Sequence, residues 1–136
     1  NELAMKIANR RAEISGVTDR FHFSVEDITK YQFQPESVDI VASIQSLQYT
    51  FEKAPILLQD MLSSVKKGGF FLYSGNVEPH FKTEPPMRFI EKEEMLKALE
   101  GWTIVSIGNE ERLLRPGDRR GYLWVIAQRA ADKNIP

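Results

Sequence analysis

Residues 60–75 read DMLSSVKKGGFFLYSG, an apolar-periodic stretch that meets two lysines and two glycines and then becomes aromatic and aliphatic. The apolar spacing predicts a helix that begins near Pro55, with its two lysines at the negative end of the helix dipole. Gly68 suits the left-handed conformation that ends a helix. The run at 70–74 predicts a buried strand, so the stretch is a helix-to-strand joint.

A second apolar run, VDIVASI at 38–44, precedes that helix. Its β-branched residues are typical of a central parallel strand that is buried on both faces. One helix between the strands at 38–44 and 70–74 predicts a right-handed crossover. Because ligands of such sheets bind beyond the carboxyl ends of the strands, we expect the site at three strand ends: Ile28 to Lys30, Ile44 to Tyr49 and Gly75 to His80. Asp39 lies at the opposite edge, where we expect a structural role.

The rest of the chain predicts further alternating elements. Residues 2–14 form an amphipathic pattern with Leu3, Ile7 and Ile14 on one face, and the alternation at 21–26 predicts a strand. The later elements are a helix near 90–100, a strand at 102–108, a turn at Pro116-Gly117 and a last strand at 121–129 with Tyr122 and Trp124 on one face. The predicted fold is α/β, with a mainly parallel sheet and an antiparallel C-terminal strand pair.

Composition excludes several classes of function. The chain has 136 residues, a net charge of −1 and no cysteine, so disulfides and thiolate metal sites are excluded. The near-neutral charge does not favour nucleic acid or an anionic membrane as a partner. The two histidines show no metal-ligand spacing. We expect a cytoplasmic protein that binds no metal.

Three stretches together resemble a known family: VEDI at 25–28, SVDIVASIQSLQY at 37–49 and VKKGGFFLYSG at 65–75. In this order and spacing they resemble the class I S-adenosylmethionine-dependent methyltransferases, within them the small-molecule, tellurite-resistance-like type. The resemblance implies a Rossmann-like methyltransferase sheet, S-adenosyl-L-methionine as the cofactor and a small-molecule substrate. It covers nearly the whole chain.

The sequence also departs from that family. The family's first strand carries a glycine-rich loop, and the only glycine of this chain before Gly68 is Gly16. We therefore expect one domain over residues 1–136 that corresponds to the C-terminal two-thirds of the fold, with the N-terminal strands missing. In the family, further strands separate those that match 21–26 and 38–44, so we expect these two segments not to pair.

The resemblance also implies site residues. Asp27 matches the acid that accepts a hydrogen bond from the adenine amino group, and the backbone N–H and side chain of Ile28 would meet the ring. Ile44, Gln45 and Ser46 match the segment that runs along the cofactor. A carboxylate at Asp27 is also a good helix N-cap, and a polar residue after a strand is common in any loop, so structural roles stay open.

Tyr49 and His80 are the candidates for the substrate side. An aromatic ring near the transferred methyl can stabilise a sulfonium through cation–π attraction, and His80 lies in the loop after the strand at 70–74. A packed tyrosine and a solvated histidine are the alternatives. No catalytic residue is nominated.

Two functions from different classes remain open. In the first, the chain is part of an active methyltransferase, partnered by a complementing N-terminal segment or by a second copy as a homodimer. In the second, it is a degenerate methyltransferase-like domain that serves as a non-catalytic protein-interaction module.

Overall fold

The structure is a computed structural model of the chain that describes residues 1–77 and 82–132. It divides into two compact units, Asn1–Tyr31 and Gln32–Pro136, which are described separately below. The expectation of a single domain over residues 1–136 stays a prediction.

The first unit contains helix α1, Glu2–Ile14, as the sequence predicts. Asn1 caps its start, because the side-chain oxygen accepts a hydrogen bond from the Leu3 N–H at 2.9 Å. The predicted apolar face is exposed: Leu3 is 64% exposed, Ile14 is also exposed, and Ala12 is the buried residue of the helix. The apolar pattern marks a face of the helix but does not supply the surface that would cover it.

The predicted strand at 21–26 is not formed. The backbone is extended there, and Phe21 and Phe23 stack on one side with ring centroids 5.4 Å apart. A strand also needs ladder hydrogen bonds, and none of the described residues forms a ladder with this segment. Within the described residues, segment 38–44 is hydrogen-bonded to one other strand only. The expectation that 21–26 and 38–44 do not pair stays a prediction.

The second unit is a mixed sheet with helices. Its elements are β1 (Val38–Ile44), α2 (Ala54–Ser64), β2 (Val65–Asn76), α3 (Lys92–Ala98), β3 (Thr103–Arg115) and β4 (Asp118–Gln128). The strand order is β1-β2-β4-β3. Strands β1 and β2 are parallel, β4 is antiparallel to both β2 and β3, and Gly117 takes a positive φ in the predicted turn between β3 and β4. The predicted α/β fold with an antiparallel C-terminal pair is confirmed.

Helix α2 ends earlier than predicted. Its last residue is Ser64, whose hydroxyl donates to the Met61 carbonyl, and Val65 already has extended backbone angles. Val65 pairs with Val38, and the ladder resumes at Phe70 opposite Ile40, so the lysines and glycines form an irregular insertion in β2. Gly68 does take the predicted left-handed conformation, with φ 79°, but inside this insertion and not at the helix end.

The two faces of the sheet differ. One face packs against α2 and forms the core, which includes Leu58, Phe71, Tyr73, Leu123 and Val125. On the other face, strand alternation places Ile44, Ser74 and Trp124, which are exposed or half-buried. This second face carries the candidate site described below.

One core residue has an unusual environment. Tyr73 is buried, and its hydroxyl has no hydrogen-bond partner among the residues that the structure describes. Burial, aided by the negative charge of Glu94, raises the pKa of Tyr73 from 10.0 to about 12. The folded protein therefore keeps this phenol protonated at a pH where the unfolded chain loses the proton.

The core side of α2 should dominate stability. Leu58→Ala should lower the free energy of unfolding by about 2–5 kcal/mol, because Leu58 is 1% exposed and truncation leaves a cavity. Ile56→Ala is the matched control on the same helix: Ile56 is 65% exposed, so its loss should cost less than about 0.5 kcal/mol. Urea unfolding followed by circular dichroism measures both, and equal effects would contradict the assigned core face.

Tyr73 should make the protein sensitive to alkali. The pKa of Tyr73 is raised in the folded state. Its contribution to the free energy of unfolding is therefore fully present below pH 10.0 and is lost as the pH rises toward about 12. The free energy of unfolding should therefore fall more steeply over this range in the wild type than in Tyr73→Phe. The variant should be no less stable at neutral pH, since it removes a buried unpaired hydroxyl. Parallel pH dependences of the two proteins would refute this.

Candidate functional site

A turn at Gln45 ends β1 and fixes the site. Gln45 has φ 52°, in the left-handed region that non-glycine residues seldom occupy. Its N–H donates to the Ser74 carbonyl at 2.7 Å, and its side-chain amide donates to the Ser74 hydroxyl at 3.1 Å. These two bonds hold the turn against β2 and leave the Ile44 side chain 59% exposed beside it.

A buried glutamine supports this turn from below. Gln48 is 1% exposed, and its side-chain amide donates to the Gln45 side-chain oxygen at 3.3 Å. The backbone carbonyl of Gln48 accepts a hydrogen bond from the backbone N–H of Arg88 at 3.2 Å. The Arg88 guanidinium in turn donates two hydrogen bonds to the Glu94 carboxylate. The hydrogen bonds that the guanidinium donates to Glu94 raise the pKa of Arg88. Gln45 is thus linked through hydrogen bonds and backbone to the segment that leads into α3.

Ser46 and Tyr49 lie on the loop that follows. The Ser46 hydroxyl is 3.1 Å from the Ser43 hydroxyl, and the Ser46 carbonyl accepts from the Tyr49 N–H at 3.1 Å. The Tyr49 side chain is exposed. Neither residue lines the cavity described next, so their predicted roles stay predictions.

A cavity of about 610 Å³ opens on the second face of the sheet at the carboxyl end of β1. Its lining residues are Ile44, Gln45, Ser74, Glu110, Arg112, Tyr122 and Trp124. Ile44 and Gln45 are residues that the sequence analysis places at a binding site. The other lining residues come from β2, β3 and β4. Among them, the sequence pattern indicates only that Tyr122 and Trp124 share one face of their strand.

Asp27 and Ile28 belong to the first unit. The Asp27 carboxylate accepts from the Thr29 N–H at 3.0 Å and from the Thr29 hydroxyl at 2.7 Å, so it caps the short helical turn Ile28–Lys30. This is the structural alternative for Asp27. A carboxylate can accept several hydrogen bonds, so capping this turn does not exclude a hydrogen bond to a cofactor. The cofactor role of Asp27 stays a prediction. The Ile28 side chain is exposed.

The remaining candidates lie elsewhere. Asp39 lies at the amino-terminal edge of the sheet, where its carboxylate is 3.8 Å from the Lys66 ammonium at the surface. His80 lies outside the described residues. Over residues 1–77 and 82–132, no group of three histidine, aspartate or glutamate residues is placed to hold a metal ion. No helix in those residues has the length and apolar character needed to cross a membrane.

A model of a methyltransferase domain matches residues 1–118. The chain belongs to the methyltransferase-domain family. The predicted resemblance to class I methyltransferases is thereby confirmed. No curated protein matches the sequence significantly.

Solved structures agree on the fold. TehB from Haemophilus influenzae has a TM-score of 0.69 at 17% identity, over 95% of this chain and 47% of that protein. A putative methyltransferase from Bacillus halodurans has a TM-score of 0.65 at 15% identity, over 96% of this chain and 80% of that protein. The [4+2]-cyclase SpnF has a TM-score of 0.65 at 16% identity, over 93% of this chain and 63% of that protein.

These likenesses bear on the fold alone. SpnF is described as a cyclase, so the same fold serves more than one chemistry. The chain spans 63% of SpnF and 47% of TehB, so it corresponds to only part of those proteins. The function of the methyltransferase domain in this chain therefore has to be argued from its own residues.

The Gln45 turn should depend on its side-chain hydrogen bonds. Gln45→Ala should lower the free energy of unfolding by about 1–3 kcal/mol, because it removes both bonds and leaves the Gln48 amide buried without that acceptor. The exposed Gln32→Ala is the control and should change it by less than about 0.5 kcal/mol.

A double-mutant cycle makes the test specific. Gln45→Ala and Gln48→Ala share one hydrogen bond, so their combined effect in chemical denaturation should be smaller than the sum of the single effects. Strict additivity would show that the two glutamines do not act together.

Proposed function

We propose that this chain forms part of an S-adenosyl-L-methionine-dependent methyltransferase that acts on a small molecule. The observation that carries the proposal is the open cavity at the carboxyl end of β1, in a chain of the methyltransferase-domain family. Parallel strands of open α/β sheets bind ligands at this end. The volume of about 610 Å³ falls in the range of pockets for small molecules.

The residues present fit such a cofactor. An adenosyl group needs an apolar surface for its ring and acceptors for its amino group. Ile44 offers an exposed apolar side chain beside the cavity, and Asp27, in the first unit, has a carboxylate that caps an exposed turn. Ile28 is an exposed apolar side chain next to that carboxylate. Each group therefore matches the chemistry that the family resemblance implies.

When bound, S-adenosyl-L-methionine supplies a sulfonium methyl group, whose carbon–sulfur bond breaks as a lone pair of the acceptor takes the methyl. The work left to the protein is orientation and exclusion of water. Gln45 is suited to orientation, because two hydrogen bonds to Ser74 and one from Gln48 hold it in place. The exposed ring of Tyr49 could add cation–π attraction, on the order of 1–2 kcal/mol when desolvated.

The outer edge of β1 bears on possible partners. Within the described residues β1 has one strand neighbour, β2, and its Ile40 and Ile44 side chains are exposed. Unpaired backbone groups at an edge can pair with another strand. We propose that a complementing segment or a second copy of the chain pairs there.

Titration with S-adenosyl-L-methionine, followed by nitrogen–proton NMR spectra of the chain, tests the proposal even if binding is weak. We expect shifts at the amides of Gln45 and Ser46 and at those of Asp27 and Ile28. Asp27→Ala should weaken binding by about 1–3 kcal/mol, because a hydrogen bond to a charged group is lost. Asp39→Asn should leave the affinity unchanged, since Asp39 lies at the other edge of the sheet.

Two outcomes would contradict the proposal. Larger shifts around Asp39 than around Gln45 would place the ligand at the wrong edge. Spectra that do not change at millimolar cofactor would favour the alternative, a degenerate domain with an interaction role.

A further inference from the structure

Strand β4 supplies the aromatic wall of the cavity. Trp124 lies opposite Gly108 in the antiparallel ladder of β3 and β4. A Cβ atom added to Gly108 would lie 2.6–2.9 Å from the indole atoms Cζ2, Cε2 and Nε1. Three neighbouring indole atoms therefore lie where a Cβ contact would be too close, so the indole covers Gly108. Any larger residue at 108 would push the ring toward the cavity, so glycine sets the position of the aromatic wall.

Arg112 is positioned at the rim beside the aromatic wall. Its guanidinium carbon lies 5.6 Å from the centre of the Tyr122 ring, within the range of a cation–π contact. Its Nη2 also donates to the Glu110 carboxylate at 3.0 Å. A guanidinium has five N–H donors, so these contacts orient Arg112 without using its full donor capacity.

Glu110 and Arg112 form an ion pair at this rim. Because Arg112 holds Glu110 ionised and paired, the carboxylate is poorly placed to receive a cationic ligand. The Arg112 N–H groups that Glu110 does not use can donate to an anionic group.

The opposite wall can meet a polar atom. The Ser74 hydroxyl accepts a hydrogen bond from the Gln45 amide, which leaves its own O–H to donate toward a ligand. The cavity thus combines a flat ring, a guanidinium at one end and a hydroxyl donor at the other.

We infer that the Trp124 side of this cavity binds a planar, conjugated small molecule that carries an anionic group, with its ring on Trp124 and its anion at Arg112. Naming this molecule as the methyl acceptor rests on the proposed function. The binding site itself does not depend on that function, because every contact comes from residues of β2, β3, β4 and the Gln45 turn.

Calorimetric titration of the chain without cofactor tests the inference. The probes are a hydroxynaphthoate with adjacent hydroxyl and carboxylate groups, naphthol as its planar neutral counterpart, and cyclohexanecarboxylate as a non-planar anion. We expect the hydroxynaphthoate to bind more tightly than either of the others. Trp124→Leu should lower the affinity for hydroxynaphthoate about threefold to tenfold, because the stacking surface is lost.

Arg112→Gln separates a specific contact from general charge. It should lower the affinity for hydroxynaphthoate roughly tenfold and leave the affinity for naphthol unchanged. Arg119→Gln is the matched control, since it removes the same charge from the same hairpin at an exposed position on the other face, and it should change neither affinity. Gly108→Ala should weaken both planar probes, because the indole is displaced into the cavity. Circular dichroism of each variant verifies the fold.

Three results would overturn the inference: no heat of binding at millimolar hydroxynaphthoate, equal loss from Arg112→Gln and Arg119→Gln, or tighter binding of cyclohexanecarboxylate than of hydroxynaphthoate. Failure of the proposed function has a different signature. In that case the hydroxynaphthoate binds with the expected variant pattern, while S-adenosyl-L-methionine causes no shift at Gln45.

Discussion

The parallel pairing of β1 with β2 sets the position of the cavity. It places Ile44 next to Ser74, and the Gln45 N–H then donates to the Ser74 carbonyl at 2.7 Å, so the chain leaves β1 through a left-handed turn. The pairing of β2 with β4 brings Trp124 to the other side of Ser74. A shift of one residue in either register would turn these side chains to the opposite face of the sheet, and the cavity would lose its walls.

The two faces of the sheet serve different purposes for the same physical reason. On one face, Leu58, Phe71 and Leu123 are removed from water and supply the stability of the second unit. On the other face, half-buried aromatic rings and a paired arginine remain accessible to a ligand. Strand alternation separates the two sets, so substitutions of cavity residues on β3 and β4, such as Arg112 and Trp124, can alter binding with little effect on the core.

Local sequence signals predicted the elements whose partners lie nearby in the chain. The runs at 38–44 and 70–74 and the apolar spacing of α2 were enough for the parallel pair, and Pro116-Gly117 for the hairpin. The strand at 21–26 was wrong because alternation does not supply a hydrogen-bonded neighbour. Glu110 and Arg112 were missed as cavity residues because their place depends on the register between distant strands, which the sequence does not display.

We propose that the carboxyl end of β1 is the ligand edge of this methyltransferase domain. A crystal structure of the chain grown with S-adenosyl-L-methionine should then show density for the cofactor against Ile44 and Gln45, with the hydrogen bonds between Gln45 and Ser74 intact. Density at the amino-terminal edge near Asp39 and Lys66, or no cofactor density beside the Gln45 turn, would show that β1 does not bind the cofactor at this end.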